Sequence, residues 1–214
     1  MATTSTALGP SSADRSRHEA ADDNPGSARR RIRDEAGELF VRRGYEATSM
    51  RDIATAVGIK AGSLYHHFPS KDDLLLDILH TGIDVVDAAF GAAAAASAQL
   101  PPPQRLEHQV RAHLSALFEY GPYTATHVTT FRTAPPAVRE VIVRRRDAYE
   151  QRWNAFLAEL RDTGAIRADA DLGVLRLSLL GAMNTTIDWL DPADGGLDRF
   201  ATVLAHQFWA GVAA

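Results

Sequence analysis

Cysteine is absent from all 214 residues of the chain. Its absence excludes disulfide bonds, thiolate zinc sites and cysteine nucleophiles. Long apolar runs are also missing, and none reaches the length that spans a bilayer. The N-terminus is polar and lacks the apolar core of a secretion signal. The sequence therefore predicts a cytoplasmic protein with no membrane partner.

The common catalytic patterns are missing as well. The chain has no glycine-rich phosphate loop, no Gly-x-Ser-x-Gly elbow and no His-Glu-x-x-His motif. His108 and His113 are five residues apart and do not share a helix face well, which argues against a metal pair. We therefore expect no enzyme activity, no metal site and no cofactor.

The chain as a whole has no net positive charge that would attract nucleic acid, because its formal net charge is −4. The charge is unevenly distributed, however. Residues 27–71 hold nine Lys or Arg against five Asp or Glu, whereas residues 72–214 carry a net charge of −6. A basic head on an acidic body is typical of a small DNA-binding unit attached to a part that avoids DNA.

The first 26 residues are rich in Ser, Thr, Ala, Asp and Pro and have almost no large apolar side chain. Such a segment cannot bury enough surface to offset its chain entropy, which predicts a disordered tail. Arg15, Arg17 and the arginines at 29–31 could contact phosphate or a minor groove. A solvated tail with no role fits the composition equally well.

Two short helices with a tight turn are predicted within residues 49–67. Ser49 is placed to cap the first helix, and Asp52 three residues later completes a capping box. Gly58 stands where a helix end favours a positive φ. Leu64 and Phe68 are predicted to be buried under the second helix, residues 61–67. Its other side would be exposed and suited to a major groove, with Ala61, Ser63, Tyr65 and His66.

This helix-turn-helix resembles that of the TetR family of transcriptional regulators. The resemblance rests on Gly44-Tyr45, residues 48–54, Gly58-Ile59, residues 62–68 and Ser70-Lys71. These include the string Leu-Tyr-x-His-Phe-x-x-Lys. The resemblance covers about residues 27–78, and beyond that only length and helical pattern agree.

The resemblance implies an all-α protein of about nine helices in two parts. Residues 27–71 would form a three-helix DNA-binding domain, and residues 72–214 a helical ligand-binding and dimerisation domain. It also implies a dimeric repressor that binds a palindromic double-stranded DNA operator and releases it when a small effector binds. Gly62, without a Cβ, would let the backbone approach the DNA. The predicted DNA contacts are Thr48, Ser49, Arg51, Lys60, Ala61, Gly62, Ser63, Tyr65, His66 and Lys71.

Helical periodicity continues through the rest of the chain, with no convincing period of two and no internal repeat. A long helix is predicted to follow Ser70 and to end at the prolines at 101–103. The other predicted body helices span 105–120, 123–133, 136–163, 171–189 and 197–212. The last two helices are expected to pair two chains in a homodimer. The residues predicted at that interface are Leu179, Met183, Phe208 and Trp209.

Inward positions on the helices between Ser70 and residue 189 predict a mostly apolar effector pocket with one polar end. The predicted lining is Phe90, Leu117, His127, Thr130, Phe131, Arg146, Trp153 and Asn184. The same residues could simply fill a bundle core. His127 fits a core histidine as well as a ligand contact. The arginines at 144–146 fit a solvated face, or one inward arginine that holds a carboxylate or phosphate.

One further resemblance in the sequence concerns the chemical class of the effector. Residues 181–184 and 189–192 resemble family members that respond to fatty-acyl or steroid-derived thioesters. Two other function classes are an enzyme built on the helical body and a constitutive or architectural DNA binder with no effector. A thermal-shift ligand screen separates the last class from a regulator, because a ligand of the native state raises the melting temperature.

Overall fold

The computed structural model describes residues 25–214 and is all-α over that range. Within it lie nine α-helices and three short 3₁₀ turns, and the only β-type pairing is an isolated bridge between Ile166 and Ala213. The helices are α1 Pro25–Arg43, α2 Met50–Val57, α3 Ala61–His67, α4 Lys71–Ser97, α5 Pro102–Glu119, α6 Gly121–Thr130, α7 Pro136–Asp162, α8 Leu172–Asn184 and α9 Gly196–Val212. The predicted fold class is therefore confirmed.

Most of the predicted N-terminal tail, residues 1–24, lies outside the described residues. The first helix begins at Pro25, so residues 25 and 26 belong to α1. The two-part division at residues 71 and 72 remains a prediction. It falls at the start of α4, a helix that belongs to the body and also packs against α1 of the head.

The head is a three-helix unit whose ends are set by local hydrogen bonds. Ser49 Oγ accepts from the Asp52 amide at 3.2 Å, and the Ser49 amide donates to Asp52 Oδ2 at 2.8 Å. These two bonds form the predicted capping box of α2. Gly58 ends α2 with a φ of 77°, a conformation that few side chains tolerate. The α2–α3 turn is therefore determined by residues inside it.

The core of the head is built from one face of each helix. Ile32, Leu39 and Phe40 on α1 are buried with Ile53 on α2 and Leu64 on α3. The head is also attached to the body: Arg29 of α1 donates to Asp77 of α4 at 3.1 Å. Its guanidinium lies over the Phe68 ring, 4.2 Å from the centroid. A rotation of α4 would therefore be transmitted to the head.

The body packs around α4 and α5. The alanine-rich stretch belongs to α4, which runs unbroken to Ser97, as the high helix propensity of alanine favours. The predicted helix 171–189 is shorter in the structure, ending at Asn184 and followed by a 3₁₀ turn at Thr185–Asp188. The Thr185 and Thr186 hydroxyls donate to the carbonyls of Ala182 and Met183. Such threonine bonds compete with continuation of the helix.

Candidate nucleic-acid interface and effector cavity

The exposed side of α3 is the candidate DNA-reading surface. Leu64 and Phe68 are buried at 0% and 1% exposure, as predicted, and turn the opposite side of α3 to solvent. Gly62, Ser63, Tyr65 and His66 are exposed there, whereas Ala61 is half-buried. The flanking side chains of Ser49, Arg51 and Lys60 are exposed as well. A short helix with this face outward has the shape that enters a major groove.

Two of the predicted DNA contacts make hydrogen bonds within the fold. Thr48 is 1% exposed, and its hydroxyl donates to the Gly44 carbonyl at 2.8 Å, so it has no surface for phosphate. Lys71 is half-buried, and its ammonium donates to the carbonyls of Tyr45 and Thr48, both at 2.9 Å. It also lies 4.1 Å from the Tyr45 ring centroid. These two residues brace the loop that leads into α2.

A cavity of about 370 Å³ lies inside the body, between α4, α5, α6, α7 and α8. Its size is within the range of small-molecule sites, roughly 300–1,000 Å³. Five of the eight predicted pocket residues are on its wall: Leu117, His127, Phe131, Arg146 and Asn184. Gly82, Ile83, Val86, Thr124, Val128, Leu177, Leu180 and Gly181 complete most of the remaining wall.

The other three predicted pocket residues are not on the cavity wall. Trp153 is fully buried, and its ring packs against Phe90 with centroids 5.1 Å apart. Phe90 also contacts Tyr149 and Phe156 edge-on, which makes it part of an aromatic core. Thr130 is 4% exposed and is absent from the cavity wall. Periodicity identified these residues as inward-facing but could not separate a core from a cavity wall.

Sequence reasoning missed a hydrogen-bonded trio on the cavity wall. His113 of α5 bonds through Nδ1 to the Tyr149 hydroxyl at 2.7 Å and through Nε2 to Asn184 Oδ1 at 3.0 Å. Because Asn184 Oδ1 only accepts, Nε2 carries the proton and Nδ1 accepts from Tyr149. Burial lowers the pKa of His113 to about 4, so this imidazole is neutral. The sequence could test His113 only as a possible metal ligand, from its spacing to His108. Its hydrogen-bond partners are 36 and 71 residues away, too far along the chain for a local pattern to reveal them.

A second polar cluster on the cavity wall lies around the Phe131 ring. The His127 ring stacks on it with centroids 5.6 Å apart, and the Arg146 guanidinium lies 4.7 Å from its centroid. Burial lowers the pKa of His127 to about 4, and the charge of Arg146 adds to the shift. Among the described residues, His127 Nδ1 has no hydrogen-bond partner although it is buried.

Helix α6 connects the cavity to the DNA-binding head. Thr124, His127 and Val128 of α6 line the cavity. On its other sides α6 approaches two helices through glycines: a Cβ on Gly37 of α1 would lie 2.9 Å from the Pro122 carbonyl oxygen. A Cβ on Gly82 of α4 would lie 2.8 Å from the Tyr123 carbonyl oxygen. Backbone contact at both points leaves α6 little freedom to move without moving α1 or α4.

Side chains reinforce the contact between α6 and α1. The Tyr123 hydroxyl donates to Asp34, and the Thr126 hydroxyl lies 3.3 Å from the Gly37 carbonyl. Burial and the hydrogen bond to Asp34 together raise the pKa of Tyr123 to about 12, burial being the larger cause. The phenol therefore remains a donor over the whole physiological pH range.

Two of the four predicted interface residues face the interior of the chain. Leu179 and Met183 are both 0% exposed, so they cannot form a dimer surface without unfolding α8. Phe208 and Trp209 are half-buried. The exposed apolar side chains of α8 and α9 are instead Val174 at 60%, Leu177 at 59% and Val203 at 45%. The exposed side of α8 is therefore opposite to the side predicted at the interface, and pairing through α8 and α9 remains a prediction.

Metal-binding and membrane-spanning features are not found in residues 25–214. This range contains no group of three or more His, Asp or Glu side chains placed to hold a metal ion. None of the helices described there combines the length and apolar character needed to cross a bilayer.

The geometry defines a helix-turn-helix DNA-binding protein with a cavity in its helical body, and two family models refine this class. Residues 32–78 match the model described as "Bacterial regulatory proteins, tetR family". Residues 99–210 match that described as "Tetracyclin repressor-like, C-terminal domain". The chain belongs to the TetR family of transcriptional regulators.

Relatives agree most strongly over short stretches of the chain. The HTH-type transcriptional repressor KstR2 of Rhodococcus jostii is 50% identical over 66 residues, which are 30% of this chain and 32% of that protein. The matched stretch thus spans about a third of that relative. KstR2 of Mycobacterium tuberculosis is 25% identical over 158 residues, 73% of this chain and 78% of that protein.

Solved structures agree over nearly the whole described chain. The TetR family regulator PfmR from Thermus thermophilus has a TM-score of 0.74 at 28% identity, covering 84% of this chain and 97% of that one. AibR in complex with isovaleryl coenzyme A and operator DNA has a TM-score of 0.70 at 24% identity, covering 82% and 97%. At this identity, the similarity to AibR shows only that the two chains share a fold.

Proposed function

We propose that the protein is a dimeric transcriptional repressor, released from a palindromic DNA operator when a small, mostly apolar molecule fills the cavity. The observation that carries this proposal is the position of α6. One side of α6 lines the cavity, and its backbone is in contact with α1 of the head at Gly37 and with α4 at Gly82. An occupant that displaces α6 therefore displaces the head.

The DNA side of the proposal rests on the exposed face of α3. Ser63 and His66 would contact base edges, and Ser49, Arg51 and Tyr65 would contact phosphates. In a dimer the two recognition helices must lie about 34–36 Å apart to meet successive major grooves. A ligand releases the DNA only if it binds better to a form with another separation.

The effector side rests on the chemistry of the cavity. Ile83, Val86, Leu117 and Leu180 make the wall largely apolar, and the polar groups form two clusters, one around His113 and one around Phe131. This arrangement suits an apolar body with a polar end. A fatty-acyl or steroid-derived thioester remains a prediction from the sequence. The AibR structure contains isovaleryl coenzyme A, and a cavity of this size would hold an acyl group of that kind rather than the nucleotide.

Gly181 provides the test. It lies on the cavity wall, and a Cβ there would meet nothing within 4 Å, so the backbone leaves open space for a larger side chain. The experiment selects a palindromic operator in vitro, screens small molecules by thermal shift and measures operator release by each compound that binds. Gly181→Leu should sediment as the unmodified protein does and should still bind the operator, and release by the compound should be lost.

The matched control is Ala95→Leu, an exposed position of α4 outside the cavity wall, which should behave as the unmodified protein does. If binding compounds never release the operator, or if Gly181→Leu is released as before, the effector proposal is wrong. The protein would then be better described as a constitutive DNA binder. The enzyme alternative has no supporting constellation among the described residues, and we do not propose it.

A further inference from the structure

The cavity wall around Arg146 carries more positive than negative charge. The Glu150 carboxylate on the wall faces two guanidinium groups: Arg176 of α8 donates to it at 2.7 Å, and Arg146 Nε lies 3.3 Å from its other oxygen. The Arg146 contact has ion-pair distance but not hydrogen-bond alignment, since Nε is buried and has no hydrogen-bond partner among the described residues. Two cations thus share one anion.

Other acidic groups near Arg146 do not restore the balance. Asp147 lies 3.7 Å from Arg146, but its side chain is 55% exposed, and an exposed pair contributes little. In the same arginine run, Arg145 is paired with Asp84 on the surface. The surplus charge therefore belongs to Arg146, whose own side chain is 36% exposed and reaches the cavity wall.

A second unpartnered group lies beside Arg146. His127 and Arg146 both contact the Phe131 ring, and His127 Nδ1 is buried without a hydrogen-bond partner in the described part of the chain. Burial holds this imidazole neutral, with a pKa of about 4. A neutral imidazole in its Nδ1–H tautomer can donate one hydrogen bond. This part of the cavity wall thus offers one net charge and one unused polar atom.

We propose that the effector is a monoanion, a carboxylate on an apolar body and not a thioester, whose carboxylate is held by Arg146 and His127. The inference rests on the proposed function and names the class of ligand for that site. One surplus cation matches one negative charge, whereas a phosphate dianion would leave a negative charge uncompensated in a partly buried site. A cationic ligand would be repelled by Arg146 on the cavity wall. The apolar body would lie along Ile83, Val86 and Leu117.

The test compares acids with their uncharged derivatives. The probes are octanoate and naphthalene-2-carboxylate, each beside its methyl ester and its primary amide. Binding is measured by calorimetric titration and by thermal shift on the full chain. Each acid should bind about tenfold more tightly than its ester, because charge-assisted hydrogen bonds are the stronger kind. In Arg146→Gln the acid and ester should bind equally, since Glu150 and Arg176 then balance each other.

The neighbouring Arg144 supplies the matched control. It is exposed on the same helix, and Arg144→Gln should keep the tenfold preference. Should Arg146→Gln fail to fold or to bind the operator, Glu150→Gln serves instead: it removes the competing carboxylate and should raise affinity for the acids without changing that for the esters.

The outcomes separate this inference from the function on which it rests. Esters that bind as tightly as acids and release the operator would overturn the monoanion and leave the repressor proposal in place. An acid preference that survives in Arg146→Gln, or an unchanged acid affinity in Glu150→Gln, would also overturn it. Failure of all six probes to bind would overturn the monoanion, and failure of the compound screen would overturn the effector cavity itself.

Discussion

Gly62 is a glycine that the fold does not require. It lies inside α3 on the exposed face, and a Cβ there would meet nothing within 4 Å of the protein. A glycine within a helix costs roughly 0.5–1 kcal/mol of stability relative to alanine. The protein gives up that stability at the position where the backbone of α3 would face a major groove. The simplest physical reason is close approach to DNA.

Replacing Gly62 with alanine should therefore separate stability from binding. The free energy of unfolding should rise by about 0.5–1 kcal/mol, because the chain loses less entropy on folding. Affinity for the selected operator should fall about tenfold, since the methyl group occupies space that the DNA backbone needs. Urea denaturation and fluorescence anisotropy with labelled operator measure the two quantities.

Gly211→Ala is the control for this change. Its Cβ also meets nothing within 4 Å, and it lies near the end of α9, far along the chain from the head. Operator affinity should be unchanged there. If Gly62→Ala binds the operator as tightly as the unmodified protein, the groove-facing assignment of α3 is wrong.

At the scale of the elements, α6 is the helix through which an effector would act. Its packing against α1 depends on the missing side chain of Gly37, because the Pro122 carbonyl occupies that space. The Tyr123 and Thr126 side chains then add hydrogen bonds to the same helix. The α1–α6 contact is thus a backbone contact. A displacement of α6 would pass to α1 directly, because no flexible side chain lies between the two helices at this point to absorb it by rotating.

Gly37→Ala should disturb this contact. A Cβ 2.9 Å from a carbonyl oxygen cannot be accommodated without a shift of α1 or α6. We expect a loss of about 1–3 kcal/mol in the free energy of unfolding, despite the better helix propensity of alanine. Operator affinity should change as well, because the head moves with α1. Chemical denaturation and operator titration check both effects.

Gly181→Ala serves as the comparison for Gly37→Ala, because its Cβ has open space. It should be neutral or stabilising. A Gly37→Ala protein that keeps the stability and operator affinity of the unmodified chain would show that α6 and α1 are not coupled through this contact.

For the whole molecule, assembly depends on which sides of α8 and α9 remain free. Val174, Leu177 and Val203 are the exposed large aliphatic residues on these helices. Exposed apolar side chains gathered on two helices are typical of an isologous interface in a two-fold dimer. Leu177 also lies on the cavity wall, so that a bound partner would help to close one side of the cavity.

A double substitution, Val174→Glu with Val203→Glu, should therefore yield monomers. Two charges in each copy would be desolvated in the interface, which costs several kcal/mol per ion. Sedimentation should show half the mass of the unmodified protein, and operator binding should weaken strongly. Ala95→Glu, exposed on α4, should remain dimeric. An unmodified protein that sediments as a monomer at micromolar concentration would remove the basis for this prediction.

Features that depend on neighbours a few residues apart could be predicted from the sequence. The capping box of Ser49 and Asp52, the positive φ of Gly58 and the exposed face of α3 were all predicted and are all present. Each depends on one turn of helix, where residue spacing translates directly into geometry. The all-α class follows for the same reason.

Only the tertiary structure decided which inward side chains border a cavity and which fill the core. Leu179 and Met183 lie on the inner side of α8, and Trp153 packs into an aromatic core beside the cavity. The bonds of His113 to Tyr149 and Asn184 join α5, α7 and α8 across many residues of sequence. Helical periodicity shows that a stripe is apolar but not what it packs against, because a helix of the body contacts several neighbours. The cavity is the space that their packing leaves, and no single helix encodes it.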